Sequence, residues 1–221
     1  DKLSKRHGAV SVMQYQDAGY LPEAMVNYLA RLGWSHGDDE LFSRDKLVEW
    51  FDGAHLAKSP AQWDAAKLNW VNAQYVKAMP DASLAKLVAV QMARLGVVAD
   101  DGRLTGICAL FKDRCDTTVA LAQWASGFYA PVATSQAGEH ERLVTDTVRP
   151  AVALLADKLA TCAWERAAIA AVIKEVLSAT GLKMPQLAMA VRVLLLGTSQ
   201  TPSLDAVIEL FLRETVLERL K

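Results

Sequence analysis

Leu21-Pro22-Glu23-Ala24-Met25-Val26-Asn27-Tyr28-Leu29-Ala30-Arg31-Leu32-Gly33-Trp34-Ser35 spells a helix with both of its ends. Pro22 sits where a first helical residue belongs, since the N–H it lacks would find no partner there. Ala24, Tyr28 and Leu32 follow at helical spacing until Gly33 stops them. The same grammar repeats outward along the chain. Ser43 is placed to cap a helix over 45–51, whose Leu47, Trp50 and Phe51 form one apolar face. Ser59-Pro60 opens another, carrying Trp63, Leu68, Val71 and Tyr75 and broken by Pro80. Residues 83–95 are amphipathic and end at Gly96, in the position of a C′ glycine. Two helices flank Lys112-Asp113-Arg114, helices over 139–148, 151–160, 165–179 and 186–196 follow, and 204–220 closes the chain with a break near Arg213. The linkers are short, so consecutive helices are expected to pack as antiparallel neighbours in an all-α bundle or cage. No fixed-period repeat emerges, which argues against a solenoid. The first ~20 residues are the exception: Ala9-Val10-Ser11-Val12 alternates like a strand, and Gln14 through Tyr20 reads as a turn-rich connector, a loop and strand end left from a different fold.

Composition sets the remaining bounds. A chain of 221 residues with 52% hydrophobic content has ample material for a core, and its length suits one large or two to three small domains. Breakers at Met79-Pro80 and Gly127 are the candidate boundaries, giving segments 1–78, 79–127 and 128–221. With 24 Lys and Arg against 25 Asp and Glu, the net charge of −1 excludes a protein that grips nucleic acid by bulk electrostatics. Any RNA contact must rest on local sites. Cys108, Cys115 and Cys162 are odd in number and lack C-x-x-C spacing, so neither a disulfide framework nor a zinc site is indicated, and a reducing cytoplasm fits best. No apolar run approaches the ~18 residues of a membrane span. The chain opens at Asp1 directly into a basic motif, as part of a longer protein would.

That motif is Lys2-Leu3-Ser4-Lys5-Arg6-His7-Gly8. Two ammonium groups three residues apart, with a hydroxyl between them and a glycine after, suit a loop that closes over phosphates and neutralises charge built up in a transition state. The run resembles the KMSKS signature of class I aminoacyl-tRNA synthetases, in the KLSKRHG form of the bacterial glutamyl-tRNA synthetases. Three further stretches carry the same resemblance in the same order: Leu21 through Ser35; Lys67-Leu68-Asn69-Trp70-Val71-Asn72; and Met189-Ala190-Val191-Arg192 through Gly197. The resemblance spans essentially the whole chain, and the helical character separates it from glutaminyl relatives, which carry β-barrels here. It implies that segment 1–78 holds the end of the catalytic domain and a stem-contact region, while 79–127 and 128–221 form two helical anticodon-binding domains. It further implies an enzyme that ligates L-glutamate to glutamate tRNA through a glutamyl-adenylate, using ATP and Mg²⁺, in the cytoplasm and as a monomer.

Carried over residue by residue, Lys5 is the residue that contacts ATP, with Lys2, Ser4 and Arg6 shaping its loop. The partner HIGH signature and the glutamate pocket do not occur in this sequence, so the chain alone is expected to be inactive and to hold no cofactor tightly. Arg114 falls where the family keeps an arginine favouring cytosine at the first anticodon position, and where members of relaxed tRNA choice carry Gln. Arg192, with Thr201, Pro202 and Leu204, matches positions around the other anticodon bases; Ala190 and Leu196 depart from the family's Pro and Thr there. Read without the resemblance, Arg114 suits a surface residue pairing with Asp113 or Asp116, and Arg192 an arginine snorkelling from an apolar helix. Trp34, Trp50, Trp63, Trp70, Trp124 and Trp164 are expected to be core anchors rather than base-stacking platforms. His36, His55 and His140 have no ligand spacing and are read as surface. The rival function is a non-catalytic helical protein-interaction module.

Overall fold

The computed structural model describes residues 11–59, 61–132 and 138–221. Lys2, Ser4, Lys5 and Arg6, and the strand-like Ala9 and Val10, lie outside the described residues. The described elements are helices, and the one pairing of extended backbone is an isolated antiparallel bridge between Trp34 and Leu56. None of these helices is long and apolar enough to cross a membrane.

The chain folds into two compact units: residues up to Gly96 with Phe111–Gln123, and Val97–Leu110 with Trp124–Lys221. These are divisions by packing.

In the first unit, α1 (Val12–Asp17) replaces the expected connector. A capping box explains it: Gln14 Oε1 accepts the Ser11 N–H at 2.9 Å and Ser11 Oγ accepts from Met13 N at 3.3 Å, so two otherwise unmatched donors are satisfied and a helix becomes cheaper than a strand with no partner. Helix α2 (Pro22–Arg31) forms as its sequence dictates, and packs on α4 (Ala65–Ala78) and α3 (Arg44–Trp50). Ser43 caps α3 through Lys46 N, but α3 buries no residue fully and Phe51 stays 55% exposed. Helix α4 starts later than expected because Asp64, not Ser59, is its cap, accepting from Lys67 N at 3.1 Å. Trp63 therefore precedes the helix, and packs edge-on to Tyr28 with Met25 and Leu68 in a local core. Helix α5 (Asp81–Arg94) follows Pro80 and ends at Gly96 as expected.

Two buried asparagines tie this unit together. Asn27 accepts from Phe42 N and Tyr75 Oη and donates to the Glu40 carbonyl. Asn72, fully buried, accepts from Leu21 N at 2.8 Å and donates to the Asp116 carbonyl. Gly19 reaches the same place from the other side: Thr118 N and Oγ1 both donate to its carbonyl, its φ is +89°, and a Cβ there would lie 2.6 Å from Val119 N. Only glycine fits so close an approach.

The second unit holds most of α6 (Arg103–Phe111), the end of α7 (Thr118–Ser126), and α8 (Glu139–Leu143), α9 (Arg149–Leu159), α10 (Arg166–Thr180), α11 (Met184–Leu196), α12 (Leu204–Glu209) and α13 (Arg213–Arg219). Helix α10 packs on α9 and α12, α11 on α8 and α9, and α13 on α9 and α11, around Leu155, Leu159, Ile173, Leu187, Val191 and Phe211. Helix α8 is shorter than the expected 139–148, and the break near Arg213 is present. Trp164 Nε1 donates to the Phe211 carbonyl at 2.9 Å, and the Arg213 guanidinium covers its ring.

Candidate nucleic-acid interface

The sequence nominates two regions, one in each unit. In the first, Lys112–Arg114 forms a 3₁₀ turn, closed by Cys115 N donating to the Lys112 carbonyl at 3.2 Å. Its two ends are fixed by opposite means. Lys112 Nζ donates to the Met79 carbonyl at 3.1 Å and pairs with Asp81 at 2.8 Å, while Cys115 is buried and its neighbour Asp116 is held by Asn72. Burial, reinforced by the Asp116 carboxylate and opposed by Arg114, pushes the Cys115 thiol up to about 12. It is a packing residue with no thiolate to offer at neutral pH. Between these anchors Arg114 is exposed. Among the described residues it makes no ion pair, so neither Asp113 nor Asp116 claims it. The turn holds a guanidinium out and leaves its donors to solvent or a ligand.

The second region is the loop from Gly197 to Ser203, between α11 and α12. Gly197 ends α11 in the left-handed region at φ +71°, its N–H donating to the Val193 carbonyl. The loop is pinned at several points. Arg219 Nη1 donates to the Leu195 carbonyl at 2.6 Å just before it, and Glu139 grips Ser199 by both carboxylate oxygens: Oε1 accepts from Ser199 Oγ at 2.8 Å and Oε2 from Ser199 N at 3.1 Å. Arg192 Nη2 donates to the Pro202 carbonyl at 3.2 Å, which also accepts from Thr201 Oγ1 at 2.9 Å. Arg166 Nη2 donates to Ser203 Oγ, and its Nε pairs with Asp205 at 2.7 Å. Burial alone would raise the Asp205 carboxyl, but hydrogen bonds from Arg166, Ser203 and the Ala206 amide outweigh it and hold the group below the usual carboxylate range.

The expected residues of this second group come together. Arg192, Thr201 and Pro202 meet at one carbonyl, with Leu204 opening α12 beside them. Their exposure differs, however. Thr201 and Leu204 are buried, whereas Arg192 and Pro202 are half-buried. Arg114 belongs to the other unit. Several residues that position these regions escaped sequence reading: Lys112, Asn72, Arg166, Glu139 and Arg219. Each acts on a partner tens of residues away, and local periodicity carries no trace of such pairings. Of the tryptophans, Trp34 and Trp63 serve as anchors, Trp50 stacks on His36 with centroids 4.2 Å apart, and Trp70 is 40% exposed beneath the Lys67 ammonium. Among the described residues no group of His, Cys, Asp or Glu is arranged to hold a metal.

Comparison with known proteins bears on both regions. Residues 61–221 match the family model of an anticodon binding domain, and residues 1–70 match that of the catalytic domain of class I tRNA synthetases (E and Q). A glutamate–tRNA ligase of Paracidovorax citrulli is 62% identical over 224 residues, and one of Albidiferax ferrireducens 60% identical over 221 residues; each alignment covers 100% of this chain and 47% of the relative. The chain thus spans about half the length of the curated relatives it matches. In fold it is similar to a crystal structure of a glutamate tRNA ligase from Elizabethkingia meningosepticum, with a TM-score of 0.87 at 24% identity over 100% of this chain and 47% of that one. A glutamate-tRNA synthetase from Elizabethkingia anophelis gives a TM-score of 0.81 at 25% identity, over 93% of this chain and 41% of that one. With the anticodon-binding model matched from residue 61 to residue 221 and these ligases aligned along its whole length, the chain belongs to the anticodon-binding-domain family of the glutamate–tRNA ligases and corresponds to their C-terminal portion.

Proposed function

We propose that this chain reads the anticodon of glutamate tRNA for a ligase that joins L-glutamate to that tRNA through a glutamyl-adenylate, using ATP. Segment 1–78 contributes the end of the catalytic domain and the stem contact; 79–127 and 128–221 contribute two anticodon-binding domains. Lys5, with Lys2, Ser4 and Arg6, serves the ATP phosphates, and Mg²⁺ accompanies the nucleotide; these residues lie outside the described ones. On this reading the protein works in the cytoplasm as a monomer.

Single-stranded bases are read by splaying them out and meeting their edges with planar donors. The observation that carries the proposal is the Arg114 guanidinium, held out on a turn anchored at both ends and engaged by no acidic neighbour. Such a fork can donate to the O2 and N3 acceptors of a cytosine, whereas a neutral Gln can exchange donor for acceptor and tolerate uracil. Arg192 from α11 and Pro202 from the loop meet the other anticodon bases, while buried Thr201 and Leu204 shape that loop.

Filter binding of the chain to glutamate tRNA and to a non-cognate tRNA tests the reading: a preference for the former supports it, and equal or absent binding favours the helical protein-interaction module instead. In a full-length ligase carrying this sequence, Arg114→Gln is expected to narrow the charging ratio between tRNAs with C and with U at the first anticodon position by roughly 5–150-fold, the value of one base-edge contact. An unchanged ratio in a stable protein would return Arg114 to an ordinary surface residue.

A further inference from the structure

We infer that Glu139 is a positioning residue for anticodon recognition, acting through Ser199 to set the loop that carries Thr201 and Pro202; the inference rests on the reading above. A carboxylate near an RNA-binding surface is unfavourable unless it is largely enclosed by protein and its oxygens are occupied. Glu139 meets both conditions. Its side chain is only 14% exposed, both oxygens accept from Ser199, and Arg142 Nη2 pairs with Oε1 at 3.3 Å. The bond to the Ser199 N–H satisfies a backbone donor that the loop's irregular path leaves without a helical partner. The two bonds together fix the orientation of the Ser199 peptide, and thereby the entry to Gln200-Thr201-Pro202. The far end of the same stretch is fixed by Arg192 on the Pro202 carbonyl. With a clamp at Ser199 and another at Pro202, Gln200 and Thr201 between them have little freedom, and a base contact needs its groups held to within a fraction of an ångström. Glu139 does this from α8, 60 residues upstream of Ser199.

The test is filter binding of the full chain to glutamate tRNA and to variants with the second or third anticodon base changed, alongside thermal melting. Glu139→Ala removes both bonds and is expected to lower the preference for the cognate anticodon by at least about 5-fold, the low end for one lost base contact, with little change in affinity for the altered tRNAs. Glu139→Gln keeps an acceptor for the Ser199 N–H and can donate to its hydroxyl, so it is expected to restore most of that preference. Equal weakening of all the tRNAs by Glu139→Ala, or a preference left intact while Arg192→Ala abolishes it, would overturn the positioning role and leave the anticodon reading standing. No anticodon preference in the unaltered chain would overturn the reading itself. If Glu139→Ala melts before binding can be measured, Ser199→Ala, which removes the Oγ contact alone, must lower the same preference by a smaller factor; an unchanged preference there would equally overturn the inference.

Discussion

Arg114 and Arg192 are arginines with the same proposed role in two differently built settings. Arg114 stands on a short 3₁₀ turn whose neighbours do all the anchoring: Lys112 holds the Met79 carbonyl and Asp81, Asn72 holds Asp116, and Cys115 fills space beneath. Its own guanidinium is left out of that framework. Arg192 is half-buried on the apolar helix α11 and is itself part of the framework, donating to Pro202 and so helping to shape the loop beside it. On the proposed reading, removing the first arginine subtracts one tRNA contact. Removing the second also frees the Pro202 carbonyl and loosens the loop beside it. The same residue type thus carries different couplings between stability and recognition, and these couplings can be measured.

The largest effect should appear at Cys115, which reports whether the Arg114 turn is closed. With its thiol pushed up to about 12, its thiolate population at pH 8 falls to about one in 10⁴. Alkylation of the native chain at pH 8 is expected to be about 10³-fold slower at Cys115 than in urea, and to rise about tenfold per pH unit below 12, while half-buried Cys162 reacts first. Equal rates at Cys115 in native buffer and in urea would mean that the turn opens freely and that Arg114 is not held in place.

Next comes Asn72→Leu, which keeps volume and removes both of the bonds joining α4 to Leu21 and Asp116. A buried N–H left without a partner costs about 2–3 kcal/mol, to be read as a lower denaturation midpoint with an unchanged slope. Loss of tRNA discrimination together with stability would show that the first region depends on its framework as the second does, and the contrast would blur. Arg192→Ala is expected to cost about 1–2 kcal/mol of stability, because the Pro202 carbonyl loses a charge-assisted donor, and to reduce tRNA binding as well. Smallest is the effect of Arg114→Gln on stability, within about 0.5 kcal/mol, since an exposed side chain outside any ion pair contributes little. Comparable midpoints for the two variants would break the comparison outright.

Legibility followed the range of the interactions. Helix α2, the end of α5 at Gly96, the Ser43 cap and the break near Arg213 were readable because each depends on residues within a turn or two: a proline at N1, a serine hydroxyl facing the third amide, a glycine past the last turn. Where two local signals competed, the reading went astray. Ala9-Val10-Ser11-Val12 alternates like a strand, but Ser11 and Gln14 form a capping box, and with no neighbouring strand among the described residues the helix from Val12 wins. Ser59-Pro60 and Asp64 both suit a helix start, and Asp64 prevails because its backbone is also fixed by the Tyr28 hydroxyl, which donates to its carbonyl and accepts from its N–H.

By itself, then, the sequence determined an all-helical chain, its family, and the residues worth examining, Arg114 and Arg192 among them, since periodicity, caps and motif order are properties of neighbours along the chain. Tertiary structure alone decided which of those arginines stands free of its acidic neighbours and which holds a loop, that Thr201 and Leu204 are buried, and that Glu139 meets Ser199 across 60 residues. These outcomes depend on pairings between distant residues, chosen by how the helices bury apolar faces and by the need to give every enclosed polar group a partner. No local pattern encodes them.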